Sequence, residues 1–236
     1  MSAEATEEVL ARTYLFRDLP PETLALYAAR VRRRRYPKGT YIERVGDPSD
    51  AIFILASGTV KGSRDGPDGN ELVDIVIWKR GEIFGEPGAM IDGAPRVLDA
   101  LTLEDTECLV LHRDDLMRML EEDPVLMRRL LARLAGIARE RVALLAGVAF
   151  LDVAGRVATR LLELAVTHGR PDERGVCIDL KMSQQTLAGL VLASRESVNR
   201  ALATLIAEGA VSQESGTIVI RRPELLRRRA DLPGSA

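Results

Sequence analysis

Beyond Asp123-Pro124 the apolar positions fall into a seven-residue repeat. Met127, Leu130, Leu134, Ile137, Arg141, Leu144, Val148 and Leu151 are spaced alternately by 3 and 4 residues, and only Arg141 is polar. A repeat sustained this long predicts one long helix with an apolar seam. The seam can face a second copy in a coiled-coil dimer or pack on the chain's own neighbouring domain, and its length favours the dimer. A long helix in mid-chain also divides the chain into an N-terminal and a C-terminal part, and 236 residues suffice for two domains at roughly 150 residues each. The chain has no run of apolar residues long enough to cross a membrane. Glu4, Glu7 and Glu8 stand where a signal peptide needs positive charge and then an apolar core, so a cytoplasmic location is expected.

The residues before the helix are punctuated differently. Glycine turns recur at Lys38-Gly39, Val45-Gly46-Asp47-Pro48, Ser57-Gly58-Thr59, Gly66-Pro67-Asp68-Gly69-Asn70, Arg80-Gly81-Glu82 and Asp92-Gly93-Ala94-Pro95. Between them the runs Ala51 to Leu55, Thr59 to Ser63, Glu71 to Trp78 and Glu107 to His112 read as short strands, which predicts an all-β barrel or roll. A short helix over Pro21 to Arg30 precedes it, and Arg32 to Arg35 read as a solvated strand edge. With 46% hydrophobic but only 4% aromatic residues, Leu, Val, Ile and Ala must fill the core. Cys108 and Cys177 lie in apolar strand-like runs without a Cys or His at metal spacing, so both read as buried, reduced thiols.

After the helix, Phe150-Leu151-Asp152-Val153 reads as a hinge, Arg156 to Val166 as another helix, and Gly169-Arg170-Pro171 as a turn. Ser183 caps a helix through Val191, and Ser194 caps a second that turns Val198, Ala201, Leu202 and Leu205 inward and ends at Gly209. Two such helices with a short turn between them form a helix-turn-helix; a hairpin about Glu214-Ser215-Gly216 makes it a winged helix. Charge is distributed to match. The net charge is −2, yet Lys181 to Arg229 holds eight basic against four acidic residues. That asymmetry suits an acidic regulatory part joined to a polyanion-binding part, although a solvated basic tail at Arg227 to Arg229 accounts for nearly half of it.

Two constellations carry chemistry. With Ser194 as cap, Arg195, Glu196, Asn199 and Arg200 occupy the exposed start of the second helix. Arg can donate twice to guanine O6 and N7, and Glu can accept from cytosine N4. Ser183, Gln184 and Gln185 suit phosphate contacts at the start of the first helix. The plainer alternative is a surface helix with a Glu196–Arg200 pair. The second constellation runs from Gly81 to Val97. A tight glycine turn through Gly85, Glu86, Pro87 and Gly88 opens a short helix whose N–H groups can cradle a phosphate, with Arg96 as the fixed charge and Glu86 free to accept from a ribose hydroxyl. Its alternative is a plain loop with a Glu86–Arg96 salt bridge.

The Gly-Glu turn followed by Pro95-Arg96, the long helix, Phe-Leu-Asp-Val-Ala-Gly-Arg and Ser-Arg-Glu-Ser-Val-Asn-Arg together closely resemble the bacterial cyclic-AMP receptor protein (Crp/Fnr) superfamily over essentially the whole chain. The resemblance implies an α+β chain: an effector β-roll over 1–120, a dimerisation helix and hinge over 121–152, and a winged helix-turn-helix over 153–236. It further implies that Gly85 and Glu86 hold a ribose, that Arg96 pairs with a cyclic phosphate, and that Arg195, Glu196 and Arg200 read bases. The partners it implies are a second copy, a TGTGA-like DNA palindrome and RNA polymerase. A cyclic nucleotide would be an effector rather than a tightly bound cofactor.

Three departures from the family pattern stand out. Val97 replaces a Ser or Thr and loses a phosphate hydrogen bond. Arg141 and Val142 stand where the best-known member reads adenine with Thr-Ser. Arg141, with its planar donor fork, tilts the expectation towards a guanine or dinucleotide ligand. Leu192 occupies a turn position that often holds Gly, where a left-handed backbone costs on the order of 1 kcal/mol. Two further readings stay in the regulator class: a response to cyclic di-GMP, or no ligand at all. A cyclic-nucleotide-binding subunit without DNA binding would lack the winged helix, and an enzyme finds no nucleophile or metal motif around His112 or His168.

Overall fold

The structure, a computed structural model, describes residues 4–65, 76–178, 183–214 and 217–230. Along the chain run α1 (Thr6–Ala11), α2 (Pro21–Ala28), β1 (Arg32–Tyr36), β2 (Tyr41–Glu43), β3 (Ala51–Ser57), β4 (Thr59–Ser63), β5 (Val76–Lys79), β6 (Ile83–Phe84), α3 (Glu86–Ala89), β7 (Asp99–Thr102), β8 (Thr106–His112), α4 (Arg113–Glu122) and α5 (Pro124–Phe150). They are followed by α6 (Val153–His168), β9 (Gly169–Asp172), β10 (Gly175–Ile178), α7 (Gln184–Leu190), α8 (Arg195–Ala207), β11 (Val211–Glu214), β12 (Thr217–Ile220) and α9 (Pro223–Ala230). The chain divides into two compact units, with the division in α5 between Ala138 and Arg139. Among the described residues no helix is long and apolar enough to cross a membrane.

In the first unit two antiparallel sheets, ordered β1-β8-β3-β6 and β2-β7-β4-β5, form the β-roll. Strand alternation divides its core. Ala51, Phe53 and Leu55 of β3 and Cys108 and Val110 of β8 share one cluster with Val60, Phe84 and Ala100, whereas Ile52, Ile54, Leu109 and Leu111 share another with α1, α2, α4 and the start of α5. β3 is buried on both faces for that reason, and each such aliphatic side chain contributes roughly 1.5–3 kcal/mol. Arg32 to Arg35 form the edge strand expected; Arg33 and Arg35 pair with Glu107 across the β1–β8 ladder. The first part of the Glu71 to Trp78 run lies outside the described residues.

In the second unit α6, α7 and α8 carry the helix-turn-helix, backed by a sheet ordered β11-β12-β10-β9. Gly169-Arg170-Pro171, expected as a turn, instead begins β9. Pro171 is tolerated there because β9 is an edge strand with one side free of ladder bonds. Cys177, expected buried, is only half-buried in β10, while Cys108 is fully buried. The basic tail proves to be α9, with Leu226 buried and Arg229 paired to Glu208.

The seam of α5 also requires correction. Leu130 is buried against the β-roll and Met127 and Leu134 pack on the same cluster, so the first part of the expected seam serves the chain's own domain. Leu131, Ala135, Ala138, Val142, Leu145 and Ala149 are exposed instead, and they keep the alternating spacing of 4 and 3 residues. One residue is about 100° around a helix, so this second stripe lies a little over a quarter-turn from the first. Arg141 therefore stands half-buried beside the exposed stripe rather than in its middle.

Candidate functional site

In the first unit, β6 is followed by Gly85, whose left-handed backbone (φ +92°) opens α3. A Cβ there would lie 2.8 Å from Arg96 Nη1, and a Cβ at Gly88 would run into Ser49 Oγ. The turn has room only for glycine at both places. Arg96 is packed directly beneath it. Its side chain is 4% exposed, Nη1 donates to the Gly85 carbonyl at 3.0 Å, Nη2 donates to the Ala51 carbonyl, and Nε lies 2.8 Å from a Glu43 carboxylate oxygen.

Glu43 as the partner overturns the Glu86–Arg96 salt bridge considered from the sequence. The β2–β7 register shifts between Tyr41 and Glu43, a bulge that breaks strand alternation. Tyr41 stays exposed, whereas Ile42 packs on the roll's core and the Glu43 side chain is left only 9% exposed against Arg96. Burial pushes the Glu43 carboxyl up to about 7; Arg96 opposes that rise, and Asp47, Asp50 and Glu86 add to it. Glu86 is itself buried and accepts a hydrogen bond from the Tyr14 hydroxyl at 3.1 Å. Its carboxyl is also raised, chiefly by burial, against hydrogen bonds from its own N–H and Tyr14 and the charges of Arg133 and Arg96.

Gly85, Glu86, Pro87, Gly88 and Arg96 thus lie around one turn, with Arg96 against the two glycines and the Glu86 side chain on Tyr14. The arrangement fits a phosphate: a fixed guanidinium lies below a turn in which Gly85 and Gly88 exclude a Cβ, at the start of α3, where first-turn N–H groups lack intrahelical acceptors. Pro87 and Val97 lie exposed, the latter at 62%. Arg141 and Val142 belong to α5 in the second unit.

The second unit offers a different surface. Ser183 Oγ accepts from Thr186 N at 3.0 Å and Ser194 Oγ from Ser197 N at 3.2 Å, so both predicted caps form. Val198, Ala201, Leu202 and Leu205 face inward. Arg195, Glu196 and Arg200 are exposed, with Arg200 Nη2 donating to Ser197 Oγ at 3.0 Å. Gln185 is exposed and Gln184 half-buried. Asn199, expected on the exposed face, is half-buried with its side-chain oxygen covered, because it sits next to Val198 at the edge of the inward face. Leu192 takes the left-handed turn (φ +53°) that its position implied. Its carbonyl accepts from Arg156 Nη1 at 3.3 Å.

Glu43, Tyr14 and Arg156 were not identified from the sequence. Regular alternation would turn Glu43 outward with Tyr41, and no local signal marks the bulge. Arg156 sits in the Ala-Gly-Arg motif, but its reach across 36 residues to the turn is visible only in three dimensions.

The family model for the cyclic nucleotide-binding domain matches residues 33–123, and that for the Crp-like helix-turn-helix domain matches residues 155–229. The chain is 34% identical over 224 residues to the CRP-like cAMP-activated global transcriptional regulator of Mycobacterium tuberculosis, covering 95% of this chain and 99% of that one. It belongs to the Crp/Fnr family of transcription regulators. The cyclic AMP receptor protein of Thermus thermophilus is 34% identical over 212 residues, covering 90% of this chain and 94% of its own. The solved catabolite activator protein of the same organism matches with a TM-score of 0.54 at 33% identity, covering 92% and 98% of the two chains. The c-di-GMP-responsive regulator CLP of Xanthomonas campestris matches with a TM-score of 0.73 at 27% identity, covering 85% and 99%. This Crp-family chain is therefore a DNA-binding transcription regulator with a cyclic nucleotide-binding domain, not an enzyme.

Proposed function

We propose that this regulator acts in the cytoplasm as a homodimer whose grip on DNA is set by a cyclic nucleotide in the β-roll. The observation that carries this reading is Arg96, a buried guanidinium under a turn whose Gly85 and Gly88 leave no room for a Cβ. Arg96 and the Gly85–Gly88 turn hold the cyclic phosphate and Glu86 meets the ribose, while Arg141 and Val142 are the base-reading pair that the family resemblance implies. Residues 1–120 form the effector domain, 121–152 the dimerising helix and hinge, and 153–236 the DNA-binding domain. The exposed stripe through Val142 and Leu145 supports dimerisation, since it is apolar and heptad-spaced. On DNA, Arg195, Glu196 and Arg200 read bases of a TGTGA-like palindrome, Asn199 supports them from the helix edge, and Ser183, Gln184, Gln185 and Ser194 face phosphates. RNA polymerase is the further partner.

Two ligand classes compete within this reading. The M. tuberculosis relative, named as cAMP-activated, supports cyclic AMP. Arg141 supports a guanine ligand, as its fork matches O6 and N7. Calorimetry with cyclic AMP, cyclic GMP and cyclic di-GMP, paired with fluorescence anisotropy on a palindromic duplex, separates them. At least one nucleotide should bind and tighten the duplex complex; if none binds, the effector reading fails while DNA binding stands. Arg141→Thr should shift the ratio of affinities towards cyclic AMP, and an unchanged ratio removes Arg141 from base selection.

A further inference from the structure

We infer that Glu43 is a built-in competitor for the nucleotide phosphate: it holds Arg96 while no ligand is bound and takes up a proton when a cyclic phosphate engages that guanidinium. The inference rests on the reading that Arg96 binds the phosphate, and it concerns how that binding is regulated.

The geometry sets two anions against one cation. Arg96 already commits Nη1 and Nη2 to the carbonyls of Gly85 and Ala51, and Nε faces Glu43 at 2.8 Å. That approach is poorly aligned, since neither Arg96 Nε nor the facing Glu43 oxygen completes a hydrogen bond. The carboxylate is therefore an electrostatic partner that can be exchanged rather than a saturated one. Both side chains are more than nine-tenths buried, so solvent does little to screen an added charge. A phosphate over the turn would leave two negative groups on one buried guanidinium.

Protonating Glu43 removes the excess. Every other charged group bearing on it except Arg96 pushes in the same direction: Asp47 and Asp50 from the segment between β2 and β3, and Glu86 from α3. Tyr36 of β1 also senses Glu43 and stays a neutral phenol, raised chiefly by burial. Because burial already holds the Glu43 carboxyl at about 7, the proton is available near neutrality. The bulge in β2 makes this possible by turning an otherwise outward residue into the site. A cyclic phosphodiester keeps its charge across this range, so the pH dependence belongs to the protein.

The test is the affinity of the full-length protein for cyclic AMP and cyclic GMP from pH 6 to 8.5, by calorimetry in two buffers of different ionisation enthalpy, with Glu43→Gln alongside. For the parent, affinity should fall above neutrality by up to roughly tenfold per pH unit, with proton uptake on binding. Glu43→Gln should bind about tenfold tighter than the parent at pH 8 and lose most of the slope. If Glu43→Gln does not fold, proton uptake by the parent still decides. Binding that is flat with pH, or a slope that survives in Glu43→Gln, overturns the inference and leaves the effector reading intact. No binding by either protein at any pH overturns the effector reading, and this inference with it.

Discussion

The glycine turn over Arg96 and the start of α8 are the two places where the proposed function sets arginines against an anion, and they are built in opposite ways. Arg96 is buried, tied to two carbonyls and balanced by a buried carboxylate. Arg195 and Arg200 stand in solvent on a helix held by serine caps and an apolar inner face. On the proposed roles, ligand recognition in the β-roll is coupled to the stability of the roll, whereas base recognition on α8 is separable from the stability of its domain. A buried charge cannot be removed without stranding its partner; an exposed one can.

The sharpest way to break this contrast is Arg96→Leu. It should abolish nucleotide binding and also destabilise the first unit by about 3 kcal/mol or more at pH 8, because it leaves Glu43 buried and unpaired. Denaturant unfolding measures the loss, and Glu43→Leu added to Arg96→Leu should restore much of it. A pH series gives a related effect. The Glu43 carboxyl has its pKa raised from 4.5 to about 7 on folding, so its contribution to stability is fully present below about 4.5 and is lost as pH rises through 7. Relative to Glu43→Gln, the parent should lose on the order of 3 kcal/mol over that interval, read from unfolding curves at each pH. On the other side, Arg195→Ala or Arg200→Ala should weaken binding to the preferred palindrome by about 1 to 3 kcal/mol and relax one position per half-site. Thermal midpoints should barely move, since neither arginine is buried. The smallest effect belongs to Leu192→Gly, which relieves a left-handed leucine and should stabilise the second unit by up to about 1 kcal/mol. A midpoint that falls instead would show that the Leu192 side chain contributes more by packing than its backbone costs.

Legibility in the sequence divides along the same line. The caps Ser183 and Ser194, the inward face of α8 and the left-handed Leu192 are local chemistry, and local chemistry can be read residue by residue. The strands β3, β4 and β8 were readable from apolar runs between glycine turns. Two features were not. The first part of the α5 seam was misread because Met127, Leu130 and Leu134 and the stripe from Leu131 to Ala149 are both apolar at heptad spacing. Only packing on the β-roll shows which stripe remains open. The partner of Arg96 was equally hidden. Glu86, the nearest acid in the motif, turns to Tyr14, and Glu43 reaches the arginine through a bulge that no periodicity announces.

Fluorescence anisotropy of a labelled palindromic duplex, titrated with the full-length protein in the presence and absence of cyclic nucleotide, joins the two regions most directly. The parent should bind the palindrome more tightly with nucleotide than without it and in preference to random duplex, while Arg96→Leu should bind equally in both conditions. A parent whose DNA affinity ignores every cyclic nucleotide, or an Arg96→Leu variant that still responds, would contradict control of the recognition helix through the buried arginine.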